Sequence, residues 1–213
     1  MRTINTVLVL SVLALLTSCV GVNADIVFNS DNSGTITLEY RISNLMESLG
    51  KQDGNEGYPV VPVGRTDLER TVARIPGMKI LSWNSRDEKT DRVIITKLQF
   101  ANPEALLLFF DPSGEKAFYS KDRDSQKMTL VLSEGRTSQN RDLEDLLRRV
   151  SAGYKIAMTI SSSSEGRLSL LDNEGRPVTD KADLVSYSKK VSFSLPLENI
   201  LFAQNGIRAE FIW

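Results

Sequence analysis

The sequence contains no histidine and a single cysteine among its 213 residues. The lack of histidine excludes Ser–His–Asp and Cys–His catalytic centres and His-ligated zinc or haem. One cysteine excludes an intramolecular disulfide. An excess of one charge is also lacking, because 26 Lys and Arg stand against 27 Asp and Glu, for a net charge of -1. We therefore expect no nucleic-acid partner, since such proteins usually carry a strong basic excess.

A long hydrophobic run is lacking as well, and the short run that is present lies near the N-terminus. Residues 7–16 are apolar apart from Ser11, Arg2 precedes them, and Asp25 is the first acidic residue. The run is too short to cross a bilayer, which needs about 20 residues. A basic start, a short apolar stretch and then small residues are typical of a secretory signal peptide, which we assign to residues 1–18.

The segment Leu16-Thr17-Ser18-Cys19 directly after this run resembles the lipobox of bacterial lipoproteins. The resemblance implies signal cleavage between Ser18 and Cys19 and attachment of lipid to the Cys19 thiol. Residues 19–24 would then be a lipidated N-terminus and short tether, and the membrane would be a partner through the lipid. The alternative is conventional cleavage near residues 22–24, which would discard Cys19.

The resemblance also implies a location. A lipobox lipoprotein is anchored in the bacterial cell envelope. In a Gram-negative host, Val20 in place of an aspartate after the cysteine implies the outer membrane, with the leaflet left open.

Hydrophobic periodicity predicts strands and helices in alternation over residues 25–213. Apolar and polar residues alternate over 35–42, which predicts a half-buried strand that a turn at 31–34 joins to a shorter strand near 26–28. Residues 78–83 and 92–100 predict a second hairpin.

Further along, 116–120 and 127–132 predict a third hairpin, and 191–195 and 207–213 predict two more strands. Helices are predicted after residue 43, after a Thr66–Glu69 capping box, after Asn102 and after Asn140. The sequence therefore predicts a single α+β domain over 25–213, with a largely antiparallel sheet of hairpins and helices packed on one side.

A short internal similarity suggests a duplicated helix–hairpin unit. Residues 67–69 followed by 77–80 (DLE, GMKI) resemble residues 142–144 followed by 153–156 (DLE, GYKI). A repeat with a fixed spacing, here about 75 residues, is typical of duplicated structural units.

Two groups of apolar residues are candidate contacts for a ligand or partner. The Gly- and Pro-rich segment 50–64 contains Tyr58, Val60, Val61 and Val63, and it is either a lid or contact loop or a surface excursion that folds back onto the core. The other group is Phe109 and Phe110, at the end of an apolar helix. They are either core or the wall of an apolar cavity between sheet and helices.

The sequence offers no convincing catalytic or metal-binding motif. Ser48 and Lys51 match S-x-x-K, but the order relative to the S-D-N at residues 30–32 is reversed and K-T-G is absent. Asp122 and Asp124 lack the glycine and distal glutamate of a calcium loop. Three D-x-x-G segments fit type I turns. We therefore predict no catalytic residues, no metal and no cofactor, and a protein that is not an enzyme.

The chain is similar to LppM-like bacterial lipoproteins. The similarity rests on Cys19, on the 31–34 turn that leads into the 35–42 strand, and on the hydrophobic C-terminal helix and strand that end in Trp213. It implies a lipid-binding α+β fold with a cavity between sheet and helices.

Three functions remain open at this point. The expectation is a membrane-anchored envelope lipoprotein with a non-enzymatic domain that binds a lipid-like or other hydrophobic ligand, or an envelope protein. One alternative is a surface-exposed adhesion or envelope-assembly module that acts through residues 50–64. The other is an unusual carboxylate- or serine-dependent envelope hydrolase.

Overall fold

The computed structural model describes residues 21–43, 64–89, 91–123, 125–135, 145, 148, 149 and 151–213. The signal peptide, the lipobox, residues 50–63 and the starts of the helices predicted after residues 43 and 140 lie outside this part. Of the described residues, 51% are in strands and 18% in helices.

Eleven strands and three α-helices have complete bounds within the described residues. The strands are β1 (Val22–Phe28), β2 (Gly34–Ser43), β3 (Met78–Asp87), β4 (Asp91–Phe100), β5 (Ala117–Lys121), β6 (Gln126–Ser133), β7 (Lys155–Ser161), β8 (Arg167–Leu171), β9 (Asp183–Tyr187), β10 (Lys190–Pro196) and β11 (Ile207–Ile212). The helices are α1 (Arg65–Ala73), α2 (Pro103–Phe110) and α3 (Leu197–Leu201).

The strands form two sheets. The large sheet has seven strands in the order β3-β4-β2-β1-β7-β10-β9, and the small sheet has four in the order β5-β6-β11-β8. Strand β1 pairs parallel with β7, and all other neighbours pair antiparallel. The centre of the large sheet therefore joins strands that lie far apart in the sequence.

An aromatic stack joins the inner faces of the two sheets. The ring centroid of Phe28, at the end of β1, lies 6.3 Å from that of Phe211 and 4.9 Å from that of Trp213, with near-parallel planes. Phe100 of β4 meets Phe28 edge-on at 5.2 Å. Because Phe28, Phe100 and Phe211 are at most 3% exposed, the stack is part of the core and supplies a large apolar area.

The predicted α+β arrangement is wrong, because the chain is mostly β. The three helices have nine, eight and five residues, too few to cover a seven-stranded sheet. They contact few strands: α1 packs on β3, α2 on β4 and β5, and α3 on β10 and β6. Phe28, at the end of β1, packs against Phe211 of the small sheet.

The predicted duplication is also wrong. Strand β3 lies at the edge of the large sheet and pairs with β4, whereas β7 lies in its middle, between β1 and β10. The strand after β7, β8, belongs to the small sheet, so β7 and β8 form no hairpin. The two segments share a local chain reversal between a helix and a strand, in which Gly77 and Gly153 both have φ of 83°.

Most of the local predictions near turns are confirmed. The hairpins β1–β2, β3–β4 and β5–β6 are confirmed, and the Asn102 side chain accepts a hydrogen bond from the Ala105 amide at 2.9 Å, as a helix cap does. The Thr66 capping box is wrong, because α1 begins at Arg65 after Gly64 and has no side-chain cap.

The first strand begins within the segment expected to be a tether. Val22, Asn23 and Ala24 belong to β1, and Ala24 is only 2% exposed. Gly21 is buried, and its carbonyl accepts a hydrogen bond from the Arg41 amide at 3.1 Å. The chain is therefore held in the sheet from Gly21 onward.

The D-x-x-G segment after α2 is a turn organised by the buried carboxylate of Asp111. This side chain accepts hydrogen bonds from the Ser113 amide and hydroxyl and from the amides of Lys116 and Ala117. Burial favours the neutral acid, but the hydrogen bonds together outweigh burial and hold the pKa of Asp111 below its ordinary value.

We predict that Phe28→Ala lowers the free energy of unfolding by about 3–5 kcal/mol, because it removes the ring through which the two sheets stack. The matched control is Val27→Ala on the outer face of the same strand, where Val27 is 41% exposed. Its effect should stay within about 0.5 kcal/mol. Urea unfolding of both variants checks this, and equal losses would contradict the role given to Phe28.

We predict that Asp111→Asn lowers the free energy of unfolding by about 1–3 kcal/mol at neutral pH, because Asn keeps one acceptor oxygen and presents an NH2 group to backbone amides that donate to the other oxygen of Asp111. The pKa of Asp111 is lowered in the native state. Its stabilisation is therefore complete above the ordinary Asp pKa of about 4 and is lost as the pH falls through the lower native value.

The difference between this variant and the parent should therefore shrink in acid. Asp122→Asn, at the exposed β5–β6 turn, is the matched control and should have little effect at any pH. Unfolding curves at several pH values provide the measurement. A difference that stays constant with pH would argue against a charged Asp111 in the native state.

Candidate functional site

The structure describes two of the predicted contact residues, Phe109 and Phe110. Both lie in the last turn of α2, half-buried against the core, and their rings meet edge-on at 6.0 Å. The helix is not buried on all sides as its composition suggested, because Leu106 is fully buried while Leu108 is 40% exposed.

The other predicted site residues lie outside the described residues. They are the contact candidates Tyr58, Val60, Val61 and Val63 of the long loop, and Ser18 and Cys19 of the predicted cleavage and lipid-attachment site.

The candidate site is an open concavity on the outer face of the small sheet, which we call the outer groove. Its volume is about 460 Å³, within the range of about 300–1,000 Å³ typical of small-ligand sites. Its lining residues come from β5, β6 and β11: Phe118, Tyr119, Ser120, Lys127, Thr129, Val131, Arg208 and Glu210.

Strand alternation explains why these residues share one face. In β6, Met128 and Leu130 are buried in the core, so Lys127, Thr129 and Val131 point to the other side. Strand β11 follows the same pattern, with its buried residues at 209 and 211. The outer groove is therefore the reverse side of the packed core.

The strand register fixes which groove residues are neighbours. Thr129 lies directly opposite Phe118 of β5 and, on its other side, opposite Glu210 of β11. Val131 lies opposite Arg208 in the next row. The register thus brings an aromatic ring, a hydroxyl and a carboxylate into one row across three strands.

Three charges lie in the floor of the outer groove. The Glu210 carboxylate lies 3.1 Å from Nε of Arg208 and 4.0 Å from Nζ of Lys127, and its side chain is 18% exposed. Nε of Arg208 is shielded from solvent and makes no aligned hydrogen bond, so its contact with Glu210 is Coulombic. Two cations against one anion leave the groove with a net positive charge.

Phe118 forms the apolar wall of the groove. It is 48% exposed, which is unusual for a large aromatic side chain. Ile212, 38% exposed, lies opposite Lys127 on the same face. The groove therefore offers apolar surface beside cationic groups, an arrangement that suits a ligand with an apolar body and an anionic end.

Tyr119 lies at the rim of the groove, and its side chain points away from the groove toward the core. Its hydroxyl donates a hydrogen bond to Oε1 of Gln126 at 2.5 Å, and its ring lies 6.1 Å from that of Trp213. Burial, with a smaller contribution from the negative charge of Glu104, raises the pKa of Tyr119. The hydroxyl is therefore a neutral donor at physiological pH.

The outer groove was not predicted from the sequence, because the predicted contacts were chosen among apolar residues. The available signal was the polar half of two alternating strands, residues 127–131 and 208–212, where charged residues interleave with buried ones. Such alternation predicts which residues of each strand face outward, but it does not predict which strands are neighbours.

The described residues give little support to the hydrolase alternative. The Ser30-Asp31-Asn32 segment forms the β1–β2 turn, in which Asp31 accepts hydrogen bonds from the amide and hydroxyl of Ser33. Ser48 and Lys51 lie outside the described part. Within that part, no three acidic or cysteine side chains gather as a metal site, and no helix is long and apolar enough to span a membrane.

Comparison with known proteins adds no relative to these observations. No protein-family model matches the chain, and no curated protein matches it.

Proposed function

We propose that the protein is a lipid-anchored envelope protein whose β-rich domain binds, without catalysis, a lipid-like ligand that carries a negative charge. The outer groove is the proposed binding surface, and Cys19 is the proposed point of lipid attachment. The observation that carries the ligand proposal is the exposed Phe118 beside the cations Arg208 and Lys127.

The position of β1 supports lipobox processing over conventional cleavage. A chain that begins at Cys19 keeps all of β1, which lies at the centre of the large sheet. Cleavage near residues 22–24 would remove Val22 and Asn23 from that strand. It would also expose the buried residue Ala24. Val22 and Asn23 pair with both β2 and β7, so their loss would remove backbone hydrogen bonds from both sides of the strand.

The charges of the groove support an anionic ligand. Glu210 occupies the Nε side of Arg208, and no hydrogen bond of the terminal guanidinium nitrogens is found among the described residues. A guanidinium presents donors in a planar fork that matches carboxylate and phosphate groups. An acyl chain attached to such a group would cover Phe118 and Val131.

The adhesion or assembly alternative depends on residues 50–64, most of which lie outside the described part. The outer groove therefore favours ligand binding as the function to test first.

We predict that Cys19→Ala abolishes incorporation of labelled fatty acid and releases the protein from membranes, because the thiol that forms the thioether is gone. Labelling with a fatty acid in cells, followed by membrane fractionation, is the measurement. Ser18→Ala is the matched control, since it keeps the cysteine and a small residue before it. Unchanged labelling of Cys19→Ala would refute the anchor.

We predict that Phe118→Ser weakens binding of a fluorescent fatty acid about three- to tenfold, because the ligand would cover the exposed half of a ring whose full burial contributes about 1.5–3 kcal/mol. The matched control is Leu108→Ser, a similarly exposed apolar side chain on α2 that lies outside the groove. It should leave the affinity unchanged.

Arg208→Gln separates the role of charge from that of apolar contact. It should weaken binding of the fluorescent fatty acid and leave binding of the corresponding uncharged alcohol nearly unaltered. Equal affinity of parent and Phe118→Ser, or no binding by the parent, would reject the outer groove as the ligand site.

A further inference from the structure

We infer that one end of the large sheet, which we call the Val22 end, faces the lipid surface directly, with the strands upright and the opposite end held away from it. This inference rests on the proposed lipid anchor at Cys19. It specifies which surface of the domain meets the membrane. The partner of the Val22 end is a lipid surface.

Chain length is the first argument. Successive Cα atoms are about 3.8 Å apart, so the Cα atom of Cys19 lies within about 8 Å of that of Gly21. Gly21 itself is fixed in the sheet, because a Cβ atom there would meet the Lys155 carbonyl oxygen at 2.2 Å and its own carbonyl binds the Arg41 amide. A lipid on Cys19 therefore has no free spacer of useful length.

The sheet register shows which features share the Val22 end. Val22 lies beside Tyr40 of β2 and Ile156 of β7, and Ile94 of β4 lies in the same row. The β3–β4 turn extends from this row through Lys89, five residues before Ile94. At about 3.4 Å a residue it projects roughly 10–15 Å beyond Val22, about as far as the three residues back to Cys19 can reach.

The opposite end of the sheet is well separated from the anchor. The seven residues of β1, from Val22 to Phe28, span about 20 Å before the chain enters the turn that contains Ser30. The loop after β7 begins at the same end, because Ser161 pairs with Val27. Trp213 lies here too, and its Nε1 atom donates a hydrogen bond to Asn32 at 3.4 Å.

The single cysteine makes the orientation measurable. Acylation consumes the Cys19 thiol, so a second cysteine can carry a fluorophore without competition. Lys89→Cys places the label on the β3–β4 turn and Ser30→Cys places it on the far turn, and both residues are exposed. The full lipidated protein is reconstituted into phosphatidylcholine vesicles that contain a lipid with a nitroxide on its headgroup, a short-range quencher.

We expect the label at position 89 to lose emission in nitroxide vesicles and the label at position 30 to keep it. Ser163→Cys, exposed in the loop after β7, is a second far-end reporter and should behave like Ser30→Cys. A Gly/Ser linker of about ten residues inserted between Val20 and Gly21 should abolish the difference, because it frees the domain to turn.

Vesicle flotation separates the two proposals. If the protein carries fatty acid and floats with the vesicles, but both labels are quenched equally or the order is reversed, the orientation is overturned while the anchor stands. If the protein carries no fatty acid and does not float, the anchor is overturned and the orientation with it.

Discussion

The contact between Phe28, Phe211 and Trp213 is the constraint on which the arrangement of the molecule depends. Phe28 closes the central strand of the large sheet, and Phe211 lies on β11, which has strands of the small sheet on both sides. The stack therefore joins the two sheets through their middles and not through their edges. It also brings the C-terminal strand to the β1–β2 turn, where Trp213 reaches Asn32. The two sheets bury apolar residues against each other at this stack, and the three helices contact only some of the strands.

This use of the inner faces decides where a ligand can bind. A cavity between a sheet and its helices, as the family resemblance implied, requires a sheet face that helices cover only in part. Here Phe28 and Phe211 fill the space between the sheets, and a groove is left on the outer face of the small sheet. The outer groove and the core are thus two sides of the same strands. Lys127 and Glu210 line the groove because Met128 and Phe211, one residue away, are committed to the core.

Turn chemistry and short-range alternation made part of the fold predictable from sequence. Pairings between neighbours, such as β3 with β4, follow from two alternating segments and a charged turn. The pairing of β1 with β7 could not be predicted, because strand periodicity states which face a residue takes and not which distant strand lies beside it. The false duplication has the same origin, since a helix, a glycine with positive φ and a strand recur without equivalent partners. Phe109 and Phe110 were chosen for hydrophobicity alone, whereas the outer groove depends on the register of three strands.

The parallel pairing of β1 with β7 has a consequence for the order in which the protein folds. During synthesis from the N-terminus, β1 and β2 emerge early, yet β7 and β10 follow more than a hundred residues later. Until then one edge of β1 has no neighbour, and the apolar residues Ile26 and Phe28 lack most of their packing partners. Non-local pairing of this kind slows folding and leaves exposed strand edges that can aggregate. The first hairpin therefore stays open on one side until the last third of the chain has been synthesised.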